Sequence, residues 1–161
     1  MREYTLKREQ TLPHPVDEVF AFFAEPANLE AITPGWLRFR ILTPEPIRME
    51  PGALIRYALR WRGLPLSWTT RIEAWDPPNG FVDAQLRGPY RLWEHAHSFE
   101  PVAGGTLARD VVRYALPLGV LGRLARAAWV RADLNAIFDH RARRVLELLE
   151  TRAGRDATRE A

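Results

Sequence analysis

The sequence predicts an α+β domain: a seven-stranded antiparallel curved sheet wrapped on one long C-terminal helix, with two short helices after strand 1. Three observations carry that expectation. Near Trp36 the apolar residues change from helical spacing to alternation, which continues to about residue 116. Short separators rich in proline and glycine interrupt the alternation, and links that short join only antiparallel neighbours. From Gly122 to Arg152 there is no proline, and Leu134, Ile137, Phe138, Val145, Leu148 and Leu149 form a stripe at helical spacing.

Taken in order, Arg2 to Leu12 alternates weakly and reads as the first strand, closed by Pro13 and Pro15. Pro15 suits a helix start, where its missing N–H costs nothing. Val16, Val19, Phe20 and Phe23 recur at helical spacing up to Glu25, with Asp17 and Glu18 beside the positive N-terminus. Pro26 interrupts this helix, and Asn28 to Ile32 predicts a second short one, stopped before Thr33-Pro34-Gly35. Strands are expected at about 36–43, 53–62, 66–75, 80–87, 91–100 and 106–116. Ile55, Tyr57, Leu59, Trp61, Leu66, Trp68, Thr70 and Ile72 share one face, while Arg56, Arg60, Arg62, Arg71 and Glu73 lie on the other. That pattern describes a sheet with one covered and one wet face. A covering helix of about 28 residues is about 42 Å long and would enclose a space beneath it. One domain is expected over 1–152, followed by a flexible tail over 153–161.

With 161 residues, 47% of them hydrophobic, the chain can fill one real core. Its formal net charge is +3, carried almost wholly by arginine, Lys7 being the only lysine. Arg123, Arg126, Arg131, Arg141, Arg143 and Arg144 follow Leu121, but Asp133, Asp139, Glu147 and Glu150 are interleaved with them. Such mixing describes a solvated helix face, so no nucleic-acid partner is expected. The absence of cysteine removes disulfides and thiolate chemistry. The first residues are charged, unlike a signal peptide, and the uncharged run Tyr114 to Gly122 is far too short to span a bilayer. A cytoplasmic protein without an integral membrane segment is expected. An exposed sheet edge at 36–43 leaves both monomer and homodimer open.

The stretch Gly88 to Pro101 concentrates the chemistry. Trp93, His95, His97 and Phe99 fall on one face of a strand, and Leu92, Glu94, Ala96 and Ser98 on the other. If the turn at Gly88-Pro89-Tyr90 pairs Arg87 with Arg91, then Gln85 opposes Trp93, Asp83 opposes His95 and Phe81 opposes His97. Asp83 would then orient His95, as a carboxylate fixes an imidazole in acid–base sites. On the next strand Asp110, Val112 and Tyr114 share the inward parity, which brings Asp110 towards the same histidines.

The residues also resemble a known family. Val19 to Pro34, Phe81-Val82-Asp83, Gly88-Pro89-Tyr90, Trp93 to Phe99, Gly105-Thr106 and Asp110 to Tyr114 together look like the ligand-binding SRPBCC proteins. These are related to polyketide cyclase/dehydrase and Bet v 1-type domains. The resemblance covers roughly residues 4–150 and implies the helix-grip (START-like) fold with an internal, mostly apolar cavity between sheet and long helix. It implies a small hydrophobic ligand or lipid and no cofactor. It says little about reaction, because only some members catalyse one.

Several readings of the site stay open at this point. His95 and His97 are either core groups satisfied by Asp83 and Asp110, or the polar end of a ligand pocket, or the general acid/base of a cyclase or dehydrase. His-x-His with an aspartate is also a metal-ligand pattern, but the resemblance argues against a metal and none is expected. Tyr57, Trp61, Trp68, Trp93 and Phe138 are either plain core or the apolar walls of the pocket. A different class of function, a protein-interaction module, would use the loops Arg48-Met49-Glu50-Pro51 and Gly63-Leu64-Pro65 as an exposed rim.

Overall fold

A computed structural model describes residues 2–159, without the side chains of 123, 127 and 155–159. The first strand, β1 (Tyr4–Leu12), leads into α1 (Val16–Ala24) and α2 (Ala27–Ile32). Then come β2 (Arg40–Ile41), β3 (Leu54–Trp61), β4 (Leu64–Asp76), β5 (Gly80–Arg87), β6 (Leu92–Val102) and β7 (Gly105–Ala115). The last elements are α3 (Gly119–Ala125) and α4 (Arg131–Arg159), joined by a π-helical turn at Arg126–Val130. The seven strands form one antiparallel sheet in the order β1-β7-β6-β5-β4-β3-β2. This is the helix-grip (START-like) architecture. Among the described residues, no helix is long and apolar enough to cross a membrane.

Pro15 occupies the N-cap position of α1, and Asp17 and Glu18 fill its first turn, where a carboxylate meets unpaired N–H groups. Glu25 leaves the helical conformation because Pro26 follows it. The sharp corner into α2 is held by Asn28, whose buried side-chain amide donates to the Phe22 carbonyl at 2.7 Å. Phe20, Phe22, Phe81, Phe99, Val145 and Leu149 then pack α1 between the sheet and α4. The sheet curves at two irregularities in the β4–β5 register, between Thr69 and Thr70 and between Ile72 and Ala74, as bulges bend a strand.

Two predicted elements differ. Most of the expected strand at 36–43 is irregular: Gly35–Leu37 forms a 3-10 turn, Arg38 has φ 44°, and only Arg40 and Ile41 pair with β3. Side chains supplement the short ladder there, since the Ile41 N–H donates to Glu30 Oε1 at 2.6 Å and the Arg56 N–H to Thr43 Oγ1 at 2.8 Å. The edge on which a second copy would pair is thus two residues long. The C-terminal helical run begins at Gly119 and continues to Arg159, beyond the boundary expected at 152. Its π-helical turn has a cause in the spacing: inward positions fall at Gly122 and Ala125, then at Val130 and Leu134. A step of five residues between Ala125 and Val130 needs one wider turn, and that turn leaves Trp129 outside.

Gly80 begins β5, where the backbone runs close against β6. A Cβ at this position would overlap the carbonyl oxygen of His97. Gly80→Ala is therefore expected to destabilise the fold by about 2 kcal/mol through overpacking, measured by urea unfolding. It is also expected to perturb the His97 ring resonances, which an equally destabilising substitution far from β6 would leave in place.

Candidate ligand-binding site

Between the sheet and the C-terminal helices lies a cavity of about 540 Å³. Tyr57, Trp61, Trp68, Trp93 and Phe138 all line it, as do Asp83, His95 and His97. The tryptophans are held by their polar tips as well as their rings. Trp61 Nε1 donates to Asp133 Oδ2 at 2.7 Å and Trp68 Nε1 to Thr70 Oγ1 at 3.0 Å. Trp68 meets Trp93 edge-on with ring centroids 5.2 Å apart. Tyr57 stays a phenol: burial and then the Asp83 charge push its hydroxyl well above the ordinary value.

The hairpin register places Asp83 opposite His95 and Phe81 opposite His97, as counting outwards from Gly88 predicts. It ends at Ala84 and Glu94, so Gln85 does not pair with Trp93. Gln85 instead folds over the turn, donating from Nε2 to the Tyr90 carbonyl at 2.7 Å and accepting from the Tyr90 N–H at 3.3 Å.

The carboxyl groups lean along the strands, so the expected partnership of Asp83 with His95 is corrected. Asp83 Oδ2 lies 3.2 Å from His97 Nε2 but 3.8 Å from His95 Nδ1. Asp110 Oδ1 is the nearer partner of His95, at 2.9 Å from Nε2, and is also 2.9 Å from His97 Nδ1. Asp110 is among the groups behind the histidines and not among those lining the cavity. The two imidazoles contact each other, with centroids 3.8 Å apart. Phe81 stacks on His97 at 4.1 Å, and Phe138 reaches His95 edge-on at 5.6 Å.

Arg141 completes the cluster, although its charged neighbours in sequence place it on a solvated face. Its side chain is only 12% exposed, and Nη2 lies 3.7 Å from Asp110 Oδ1 and 3.4 Å from His97 Nδ1. The guanidinium rests against Phe23 and Phe138, 5.1 and 5.9 Å from the ring centroids. The signal was available: residue 141 is three beyond Phe138 and seven beyond Leu134, so it belongs to the apolar stripe.

These contacts set the charge states. Burial and then the neighbouring His97 push the His95 pKa down, which keeps that ring neutral. Burial acts the same way on His97, but hydrogen bonds to Asp110 and Asp83 outweigh it and raise its pKa. Burial would raise the Asp110 pKa, yet Arg141 and the two histidines hold it well below the usual carboxylate range. Asp83, His95 and His97 bring one potential metal-ligand atom each within 4.8 Å of one another. The Arg141 guanidinium beside His97 opposes a further cation, and the ring nitrogens that would ligate it already face carboxyl oxygens.

Opposite shifts predict opposite pH responses. A group with a raised folded pKa stabilises the protein below its unfolded value, and this contribution is lost as pH rises through the folded pKa. A histidine with a lowered pKa does the reverse and destabilises as pH falls below about 6.5. His95→Gln, which leaves His97, should therefore gain stability on acidification from about pH 8 to 5, whereas His97→Gln should lose it. Urea unfolding across that range checks both slopes, and parallel profiles would contradict the assignment.

Residues 12–139 match the model of a family described as polyketide cyclase/dehydrase and lipid transport. A search of the curated proteins finds no match to the sequence. Among solved structures, the Zhui aromatase/cyclase from Streptomyces sp. R1128 superposes with a TM-score of 0.75 at 18% identity, covering 94% of this chain and 96% of that one. A protein from Thermus thermophilus gives 0.68 at 19% identity, with 90% and 99% covered. Ara h 8.0201 gives 0.65 at 16% identity, with 93% and 99% covered. At these identities the likeness is one of fold.

Proposed function

The chain belongs to the polyketide cyclase/dehydrase and lipid transport family, and on that premise we propose that it binds one small, mostly apolar molecule in the cavity. The body of the ligand lies against Tyr57, Trp61, Trp68, Trp93 and Phe138. Its polar end meets Asp83, His95 and His97, with Asp110 and Arg141 fixing the two imidazoles. The observation that supports this reading most is the makeup of the cavity: about 540 Å³ with largely apolar walls and the Asp83, His95 and His97 cluster among its few polar groups. Sites for small apolar ligands are built this way. N-phenylnaphthylamine, a neutral apolar dye, tests it: saturable uptake of one dye per chain is expected, with energy transfer from the lining tryptophans. Uptake that never saturates would overturn the reading.

A second reading has its own support, since His95 is a neutral imidazole on the cavity wall anchored by Asp110 through Nε2. Such a group accepts a proton from a ligand held against it, as a cyclase or dehydrase requires. Deuterium exchange into the central carbon of a β-diketone, followed by NMR, tests this role. His95→Gln should abolish protein-dependent exchange while leaving dye affinity within about twofold. Equal exchange by both proteins would remove the catalytic reading and leave binding.

A further inference from the structure

The cavity reaches the surface beside α3, and its lips there are apolar. Leu118 and Leu121 line the cavity and yet are 76% and 65% exposed. Beside them Val120 and Leu124, on α3, are 58% and 62% exposed. The β3–β4 hairpin supplies the facing lip with Leu64, 60% exposed, at its tip. The π-helical turn aims Trp129 outwards next to that tip, where Arg62 lies over both Trp61 and Trp129. Scattered exposed leucines are ordinary, but a contiguous apolar patch running into an apolar cavity marks an interaction surface.

Exposed arginines gather at the same mouth. The antiparallel register puts the ends of β3, β5 and β7 and the starts of β4 and β6 at the mouth. Exposed Arg60, Arg87, Arg91 and Arg131 lie there. Nearby acids are already engaged: Glu3 and Glu94 by Arg113, and Asp133 by Arg62. Asp17, Glu18, Glu50, Asp76 and Glu100 lie towards the other end, with the β4–β5 and β6–β7 turns and the start of α1. The loop Arg48–Pro51 is also at that end, so it forms no common rim with Gly63–Pro65.

We infer that the arginine-ringed apolar mouth, built from α3, Trp129 and the β3–β4 hairpin, docks on an anionic lipid surface. Apolar side chains entering the headgroup region and arginines meeting lipid phosphates are the two contributions that hold interfacial segments on membranes. A symmetric contact with a second copy would set the arginine rings against each other. The docking surface stands on its own. That an apolar ligand passes between bilayer and cavity without crossing water rests on the binding proposed above.

Co-sedimentation with vesicles is the test. The protein should pellet with vesicles of three parts phosphatidylcholine to one part phosphatidylglycerol, less so with phosphatidylcholine alone, and less at high salt. Val120→Asp/Leu124→Asp, whose side chains do not line the cavity, should lower the partition about tenfold or more and leave dye uptake unchanged. Arg87→Glu/Arg91→Glu, on a different element, should lower it and weaken its salt dependence. No sedimentation with anionic vesicles, or both variants sedimenting like the parent, would overturn the inference. So would a dimer in the analytical ultracentrifuge that Val120→Asp/Leu124→Asp turns into monomer, since a second copy would then cover the mouth. Failure of dye uptake alone would instead count against the cavity reading.

Discussion

Asp110→Ala is expected to destabilise the protein by about 4 kcal/mol, because it strips the shared counter-charge from a buried cluster. The carboxylate is 18% exposed and faces His95 Nε2 and His97 Nδ1 at 2.9 Å each, with Arg141 at 3.7 Å. Removing it leaves the buried Arg141 guanidinium without its carboxylate and takes the shared hydrogen-bond acceptor from both imidazoles. A midpoint fall of about 10 °C is expected for a domain of this size. Asp110 has a folded pKa below its unfolded value, so its contribution is present above about pH 4 and disappears as pH falls through the folded pKa. The variant should accordingly lose much of the acid-unfolding limb. Asp110→Leu combined with Arg141→Met removes both charges and should recover a large part of the loss, since buried ion pairs exchange for apolar groups at little cost. A change below about 1 kcal/mol for Asp110→Ala would mean that the cluster is solvated and not structural.

Leu59→Trp combined with Ile137→Trp is expected to lower ligand affinity on the order of 100-fold, about 3 kcal/mol, without loss of stability. Leu59 and Ile137 line the cavity from β3 and α4, half-buried because empty space lies in front of them. Two indoles there occupy volume a ligand needs and gain packing contacts that the leucine and isoleucine lack. The signs separate the accounts. If the space were ordinary loose core, filling it would raise stability and change no binding property. If these positions were tightly packed, overpacking would cost about 1–3 kcal/mol. Dye titration and urea unfolding of the same preparation distinguish all three.

Much of this was legible in the residues. Strand periodicity alone puts Trp93, His95, His97 and Phe99 on one face, and counting outwards from Gly88 sets Asp83 against His95. The stripe from Leu134 to Leu149 announces the covering helix. What the sequence hides are displacements smaller than one residue and steps that break a period. Nothing in the spacing tells that the Asp83 carboxyl leans towards His97 and leaves His95 to Asp110. Arg141 is masked by its charged neighbours in composition, and only its spacing from Leu134 and Phe138 puts it in the apolar stripe. The π-helical turn is visible only as a step of five from Ala125 to Val130, and both residues suit an ordinary helix. Trp36 and Leu37 continue an alternating pattern into a segment where a 3-10 turn follows Pro34.

Native mass spectrometry of the protein offered an excess of apolar molecules, with the Leu59→Trp/Ile137→Trp variant beside it, tests the central claim most directly. A retained mass of one small molecule per chain is expected, extractable after unfolding and absent from the variant. A parent protein that retains nothing, or a variant that retains the same molecule equally well, would contradict the claim.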